Sequence, residues 1–322
     1  MRVAVVTTSY PQFEGDPAGH FVESEARAMA RNGCDVTVVA PTASAPRSGR
    51  FATDRHGVRV AFFDGGEAFG WPGAEARLTR APWRGASAVR WALSARRFIQ
   101  KEPFERVIAH WAIPSAFLCL SRAHRFTLEV VSHGGDVRLL EAMPRSARVA
   151  LVSAIAKRAD SWRFVSLDLK TRLVRSIGHD AKQSSSLLAR VEAIARVAPP
   201  QLELPDVAER AKALRNAYRG DAPLLVTVGR LVKSKRVDRA IRYAAAKAAR
   251  LVVVGDGPER DALEELSRAL RVRPTFVGTV LRNEAVAWIG AADTLLIASE
   301  SEGLSTVERE ANALKTAVIW LR

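Results

Sequence analysis

Residues 224–235 read LLVTVGRLVKSK, and residues 250–259 read RLVVVGDGPE. Each opens as a continuous apolar run of strand length and breaks at a glycine followed by polar residues. Unbroken apolarity in a short strand means burial on both faces, as in a parallel sheet covered by helices. The surrounding pattern agrees. Helix Val207–Tyr218 precedes strand Leu224–Val228, and then come helix Val237–Ala248, strand Arg250–Val254, helix Glu259–Leu270 and strand Thr275–Val277. Helix Glu284–Gly290, strand Thr294–Ile297, helix Thr306–Leu314 and strand Ala317–Trp320 complete the run. Strict alternation of strand and helix predicts a doubly wound α/β unit.

The first part of the chain repeats the pattern, with strands predicted at Val3–Thr7, Asp35–Ala40, Val58–Phe63, Arg106–Ala109, Thr127–Ser132 and Ser161–Val165. Between the first two lies helix Phe21–Asn32, with Phe21, Ala26, Met29 and Ala30 near one face. The expected fold is therefore α/β with two Rossmann-like domains, 1–200 and 201–322, separated at the Pro-rich stretch Val197–Pro205. Two such halves are expected to face each other across a cleft, with ligands at the carboxyl ends of the strands.

Composition bounds the function. The 322 residues are 48% apolar and 26% charged, as in soluble globular proteins. No run approaches the roughly 20 apolar residues that span a bilayer. The opening MRVAVVTTSYP reads as a buried strand of a cytoplasmic protein rather than a secretory leader. Cys34 and Cys119 lie in no metal-binding spacing, so a metal is not expected, and two buried thiols are expected ahead of the alternative, a single disulfide between them. The net charge is +15, of which +11 falls in residues 1–197. Such a field favours phosphates or acidic headgroups. Nucleic acid is not expected, because no recognition motif accompanies the charge.

Three stretches carry chemistry. In Val228–Lys235 a glycine ends the strand, and Arg230 and Lys235 stand just beyond it, where a diphosphate would find a guanidinium fork and a point charge. The turn Gly255-Asp256-Gly257-Pro258 joins strand to helix and is expected to present backbone amides to part of a nucleotide; it is not GxGxxG, which argues against a dinucleotide enzyme. In SESEGLSTVEREA, residues 299–311, Glu302 lies in a loop and Glu310 about one turn into the next helix, which Ser305 or Thr306 can cap. Two carboxylates there can accept from sugar and ribose hydroxyls.

GRLVKSK, VVVGDGPE, FVGTV, AADTLLIASESEGLSTVEREA and the earlier SHGGD, in that order, resemble glycosyltransferase family 4. The resemblance runs along the whole chain and is most specific from Leu224 onward. It implies the GT-B architecture, transfer of a sugar from a nucleotide-diphosphate donor with retention, and no metal or other cofactor. It also implies roles residue by residue. Arg230 and Lys235 would bind the donor diphosphate, and Glu302 and Glu310 the donor sugar and the ribose. Gly303, Leu304 and Ser305 would offer amides, Gly255 would shape the nucleotide site, and Val277–Val280 would flank the base. His133 in SHGGD would contact the sugar at the reacting centre, and Asp136 would orient it or the acceptor. Gly19 belongs to the loop near the donor phosphates, and His110 is read as structural.

The chain departs from the family pattern in two places. It stops at Arg322, soon after strand Ala317–Trp320, so the second domain is expected to be C-terminally short, and Asn312–Thr316 stands where a small-residue turn is usual. The interdomain segment lacks the Asn-Gly-Val-Asp type of turn. Two other functions fit the same motifs: a non-catalytic nucleotide-sugar or membrane-binding protein, and a nucleotide-sugar epimerase. The acceptor is expected to be lipid-linked or a saccharide. The stretch Arg77–Lys101 interleaves Arg77, Arg80, Arg84, Arg90, Arg96, Arg97 and Lys101 with Trp83, Trp91 and Phe98. That mixture suits docking on an anionic membrane at the inner face, or equally a solvated helix whose aromatics face a core.

Overall fold

The computed structural model describes residues 1–322 except Pro17, Arg47, Arg55, 70–76, 78–80, 122–125, 179–181, Arg219, Ser301, Glu302 and Arg322. The chain forms two compact units. The first is Met1–Gln12 with Ala18–Gln201, and the second is Leu202–Arg322 with the short segment Phe13–Pro17.

The first unit is built on strands β1 (Arg2–Val6), β2 (Asp35–Thr42), β3 (Arg50–Thr53), β4 (Arg59–Asp64), β5 (Arg106–His110), β6 (Thr127–Ser132), β7 (Ser161–Phe164) and β8 (Ala195–Val197). Their order in one sheet is β3-β4-β2-β1-β5-β6-β7-β8, and only β3 runs antiparallel to its neighbour. Strand order reverses beside β1, where Val3 to Val6 are completely buried. Helices α1 (His20–Arg31), α2 (Gly85–Lys101), α3 (Gly135–Ala142), α4 (Arg145–Arg158), α5 (Leu167–Ile177) and α6 (Lys182–Ile194) connect the strands. The antiparallel strand β3 was not legible in the sequence: all four of its residues are exposed, so no apolar run marks it.

Helix α2 turns part of the stretch Arg77–Lys101 toward the core. Trp91 is fully buried with its ring 5.1 Å from Phe69, and Phe98 packs against Phe51, Phe63 and Phe104. These aromatics serve the core. Trp83 is 75% exposed, however, and Val89 and Leu93 are exposed beside Arg90 and Arg97. Arg80 lies outside the described residues.

The second unit holds strands β9 (Leu224–Val228), β10 (Arg250–Val254), β11 (Thr275–Gly278), β12 (Thr294–Ile297) and β13 (Ala317–Trp320), with helices α7 (Ala208–Ala217), α8 (Val237–Ala246), α9 (Arg260–Ala269), α10 (Arg282–Ala291) and α11 (Thr306–Ala313). All its strands are parallel in the order β11-β10-β9-β12-β13. This is the doubly wound arrangement, and its switch point lies between β9 and β12. Successive strand residues feed opposite layers. Leu224, Val226, Val252 and Val254 join one core with α7, α10 and α11, while Leu225, Leu251 and Val253 join the other with α8 and α9. Two buried layers are why β9 and β10 read as continuous apolar runs. Among the described residues no helix is long and apolar enough to cross a membrane.

Candidate functional site

In the second unit, a pocket opens at the carboxyl ends of β9, β10 and β12, lined by Gly229, Lys235, Val254, Ala298, Ser299 and Val307 among others. It sits at the switch point. Lys235 bends back so that its Cε lies 3.9 Å from where a Cβ on Gly229 would be. Arg230 continues the turn, which closes through the Val232 N–H donating to the Arg230 carbonyl at 2.9 Å. The loop after β12 is tied to this turn, since the Glu300 N–H donates to the Ser234 carbonyl at 3.1 Å.

The glycines are required by close packing of two turns. A Cβ on Gly255 would lie 2.0 Å from the Gly229 carbonyl oxygen, and one on Gly257 would lie 2.4 Å from that of Leu231. This packing takes up part of the donor capacity expected of the GDGP turn. The Gly255 N–H donates to Gly278, that of Gly257 to the Asp256 carboxylate, and that of Glu259 to Leu231. These three amides are spent inside the protein, so Gly255 gives the site its shape, while no described acceptor takes the amide of Asp256.

Ser305 caps α11, its hydroxyl accepting from the Glu308 N–H at 3.3 Å. No described acceptor takes the amides of Gly303 and Leu304 just before it. Glu310, also on α11, is buried, and its Oε1 accepts from the Arg282 guanidinium at 3.2 Å. Burial pushes the Glu310 carboxyl up, against the pull of Arg282. Val280 is half-buried against the same core layer. Glu302 lies outside the described residues.

In the first unit, Gly19 precedes α1 with φ +68, and a Cβ there would meet the Ser9 carbonyl oxygen at 2.2 Å, so the position admits glycine alone. His133 follows β6. Asp136 is 2% exposed, and its carboxylate accepts from the backbone N–H of Ala112 (2.8 Å), His133 (3.2 Å) and Gly134 (3.0 Å). The carboxylate is thus an internal clamp on the turn that carries His133. The His133 ring packs against Phe21 at 4.8 Å and Trp111 at 4.9 Å between centroids. Its Nε2 lies 2.9 Å from Nδ1 of His110, which was read as merely structural. Burial, then the neighbouring His110 and Arg163, hold the His133 ring well below its usual titration range.

Beside this pair runs a buried charge network that sequence reasoning missed. Glu129 on β6 accepts from Arg163 at 2.8 Å and also from Arg106 and Arg196, and Arg163 reaches Glu25 on α1. Burial acts to raise the Glu129 carboxyl, and the three arginines reverse it, so the group is held below its usual range. A glutamate in TLEVVS and an arginine in SWRFV, each inside a buried strand, were the available signals.

Cys34 and Cys119 are free, and burial pushes the Cys119 thiol up to about 12. Among the described residues no group of three His, Cys, Asp or Glu could hold a metal ion.

Comparison with known proteins adds to this geometry. The family model for a glycosyl transferase 4-like domain matches residues 18–184, and that for glycosyl transferases group 1 matches residues 210–321. The chain is 28% identical to alpha-D-kanosaminyltransferase of Streptomyces kanamyceticus over 71% of its own length, spanning 62% of that protein. It is 25% identical to the teichuronic acid biosynthesis glycosyltransferase TuaC of Bacillus subtilis over 99% of its length and 80% of TuaC. Among solved structures, sucrose-phosphate synthase from Thermosynechococcus elongatus superposes with a TM-score of 0.74 at 20% identity, over 99% of this chain and 80% of that one. Anabaena HepE in complex with UDP-glucose gives 0.68 at 14% identity with the same coverage. These superpositions place the fold among GT-B structures.

Proposed function

The chain belongs to the glycosyl transferase 4-like family, and on that premise we propose that it transfers a sugar from a nucleotide-diphosphate donor to an acceptor hydroxyl, with retention and without a metal. What carries the reading is the pocket at the switch point of the second unit, where Lys235 folds over Gly229 beside the loop that leads to the Ser305-capped helix. That edge of a doubly wound sheet is where nucleotides bind. The UDP-glucose held by HepE supports a nucleotide sugar as the donor class.

In this reading Arg230 and Lys235 neutralise the departing diphosphate, the amides of Gly303, Leu304 and Ser305 meet its oxygens, and Glu310 accepts from the ribose. Val280 flanks the base. Glu302 and His133 engage the donor sugar, and Gly19 lets the loop before α1 approach the phosphates. Asp136 acts by holding the His133 turn. The acceptor hydroxyl attacks from the face the nucleotide leaves, so the leaving phosphate takes the proton and no protein nucleophile is needed.

A lipid-linked or saccharide acceptor belongs to the same proposal, as does a cytoplasmic enzyme that docks at the inner face of an anionic membrane. The exposed Trp83, Val89 and Leu93 beside Arg90 and Arg97 support that docking.

The test is incubation of the protein with UDP-, GDP- and ADP-glucose, each with and without a simple glycoside acceptor, reading products by proton NMR. The proposal expects acceptor-dependent release of nucleoside diphosphate, an α-configured product from an α-donor, and no loss in EDTA. A β-configured product would overturn retention. Equal turnover without acceptor would overturn transfer.

A further inference from the structure

The contact between His110 and His133 constrains where their protons lie. His110 ends β5 and His133 follows β6, the neighbouring strand in the sheet, with His110 opposite Val131. Their rings lie 15° from parallel, and His110 Nδ1 and His133 Nε2 are 2.9 Å apart. An N···N hydrogen bond holds one proton, so one ring donates and the other accepts.

The remaining nitrogen of His110 decides which. His110 Nε2 is buried and makes no hydrogen bond, and it lies 4.0 Å from Glu25 Oε2, which is likewise buried and unbonded. The other Glu25 oxygen holds Arg163. A lone pair on Nε2 would face a carboxylate oxygen across buried space, whereas an N–H there faces negative charge. Burial favours the neutral form of both rings, pushing His110 down to about 3 and His133 well below its usual range. Each ring then carries one proton. His110 is protonated on Nε2 and accepts at Nδ1, so His133 must donate from Nε2. Its Nδ1 is left with the lone pair, and no described residue bonds to it.

We propose that Glu25 and His110 are positioning residues that fix His133 as the Nε2–H tautomer, so that His133 Nδ1 meets the donor sugar as a hydrogen-bond acceptor. The second half of this rests on the reading of His133 as a donor contact. Packing alone does not require the arrangement: Phe21 and Trp111 hold the ring faces and Asp136 holds the backbone. A hydrophobic residue at 110 would fill the same space.

The experiment is a long-range proton–nitrogen correlation spectrum of the full chain labelled with 15N-histidine, at about pH 7.5. The six histidines are assigned with single-site variants. Both rings should show a protonated Nε2 and an unprotonated Nδ1, and a protonated Nδ1 on His133 would overturn the proposal. Kinetics with whichever of UDP-, GDP- or ADP-glucose is turned over supply the second readout. His110→Leu should lower kcat about ten-fold or more while donor KM moves less than about three-fold, and His110→Asn, which restores a hydrogen-bonding group near Nδ1, should recover most of the loss. Equal loss in both variants would overturn the positioning role. If the tautomers stand but His133→Ala keeps full turnover, the donor-contact reading fails and the tautomer assignment survives. Should His110→Leu not fold, the wild-type spectrum still decides the tautomer.

Discussion

The Arg282 guanidinium lies 3.2 Å from Glu310 Oε1, joining the first residue of α10 to the middle of α11. The two side chains are 17% and 6% exposed. The same arginine donates from its backbone N–H to the Gly15 carbonyl at 3.0 Å and from its guanidinium to the Glu203 carbonyl. The carboxylate read as the ribose acceptor is therefore held by a cation that also organises its surroundings.

Removing that cation leaves a buried charge. Arg282→Met should destabilise the protein by about 3 kcal/mol in urea unfolding, the order seen when one partner of a buried pair is lost. Adding Glu310→Gln should recover most of it. Burial already raises the Glu310 carboxyl, so the native state holds that proton more tightly than the unfolded chain. The deficit in Arg282→Met should therefore shrink as pH falls through the folded value. A pH-independent deficit would show that the lost contacts to Gly15 and Glu203 dominate.

Two glycines separate close approach from backbone strain. Gly255 has φ +128 and would place a Cβ 2.0 Å from the Gly229 carbonyl, whereas Gly33 has φ +81 and open space around it. Gly33→Ala should cost about 1 kcal/mol from its backbone alone. Gly255→Ala should cost about 3 kcal/mol or more, because overpacking adds to the strain. Equal losses in thermal unfolding would mean that the two turns can part.

The buried histidines give a signed pH dependence. Burial holds His110 down to about 3 and His133 well below its usual value, while in the unfolded chain both titrate near 6.5. Below about pH 6.5 the unfolded chain binds protons that the native state does not, so stability falls with pH, by up to about 1.4 kcal/mol per unit for each histidine. Urea midpoints between about pH 7 and pH 4 should show this fall, and His110→Asn should reduce its slope by about one proton. An unchanged slope would mean that His110 is protonated in the native state.

Association with membranes should depend on the exposed face of α2 and on Trp83 just before it. Vesicles containing phosphatidylglycerol should pellet the protein at about 0.1 M salt and release it as salt rises. Leu93→Glu and Trp83→Ala should each weaken pelleting several-fold, because Leu93 and Trp83 are exposed. No pelleting of the wild type would remove the membrane from the proposal.

Most of the second unit was legible because its strands are apolar throughout and its turns are set by glycine. Leu224–Val228, Arg250–Val254, Thr294–Ile297 and Ala317–Trp320 are strands over the same residues in sequence and structure. What escaped was whatever depends on partners distant in sequence. Strand β3 is exposed and pairs only through β4. Strand β8 closes the edge of the first sheet with only three residues, of which Arg196 and Val197 are exposed, so no apolar run marks it. His110 looked structural because its partner lies 23 residues on. Glu129 and Arg163 stood out only as charges in apolar strands, and their meaning came from the register that sets them diagonally across β6 and β7. Two of the amides expected of the GDGP turn, those of Gly255 and Gly257, are taken by Gly278 and Asp256, and no local pattern reveals the first of these pairings, which is with strand β11.

The most direct measurement is calorimetric binding of UDP-, GDP- and ADP-glucose to the wild type and to a variant carrying Arg230→Ala and Lys235→Ala. The wild type should bind one of the three, and the variant, folded by circular dichroism, should bind it at least about ten-fold more weakly, since the two cations proposed to neutralise the diphosphate are gone. Equal affinity in the two proteins would contradict a donor diphosphate held at the switch point of the second unit.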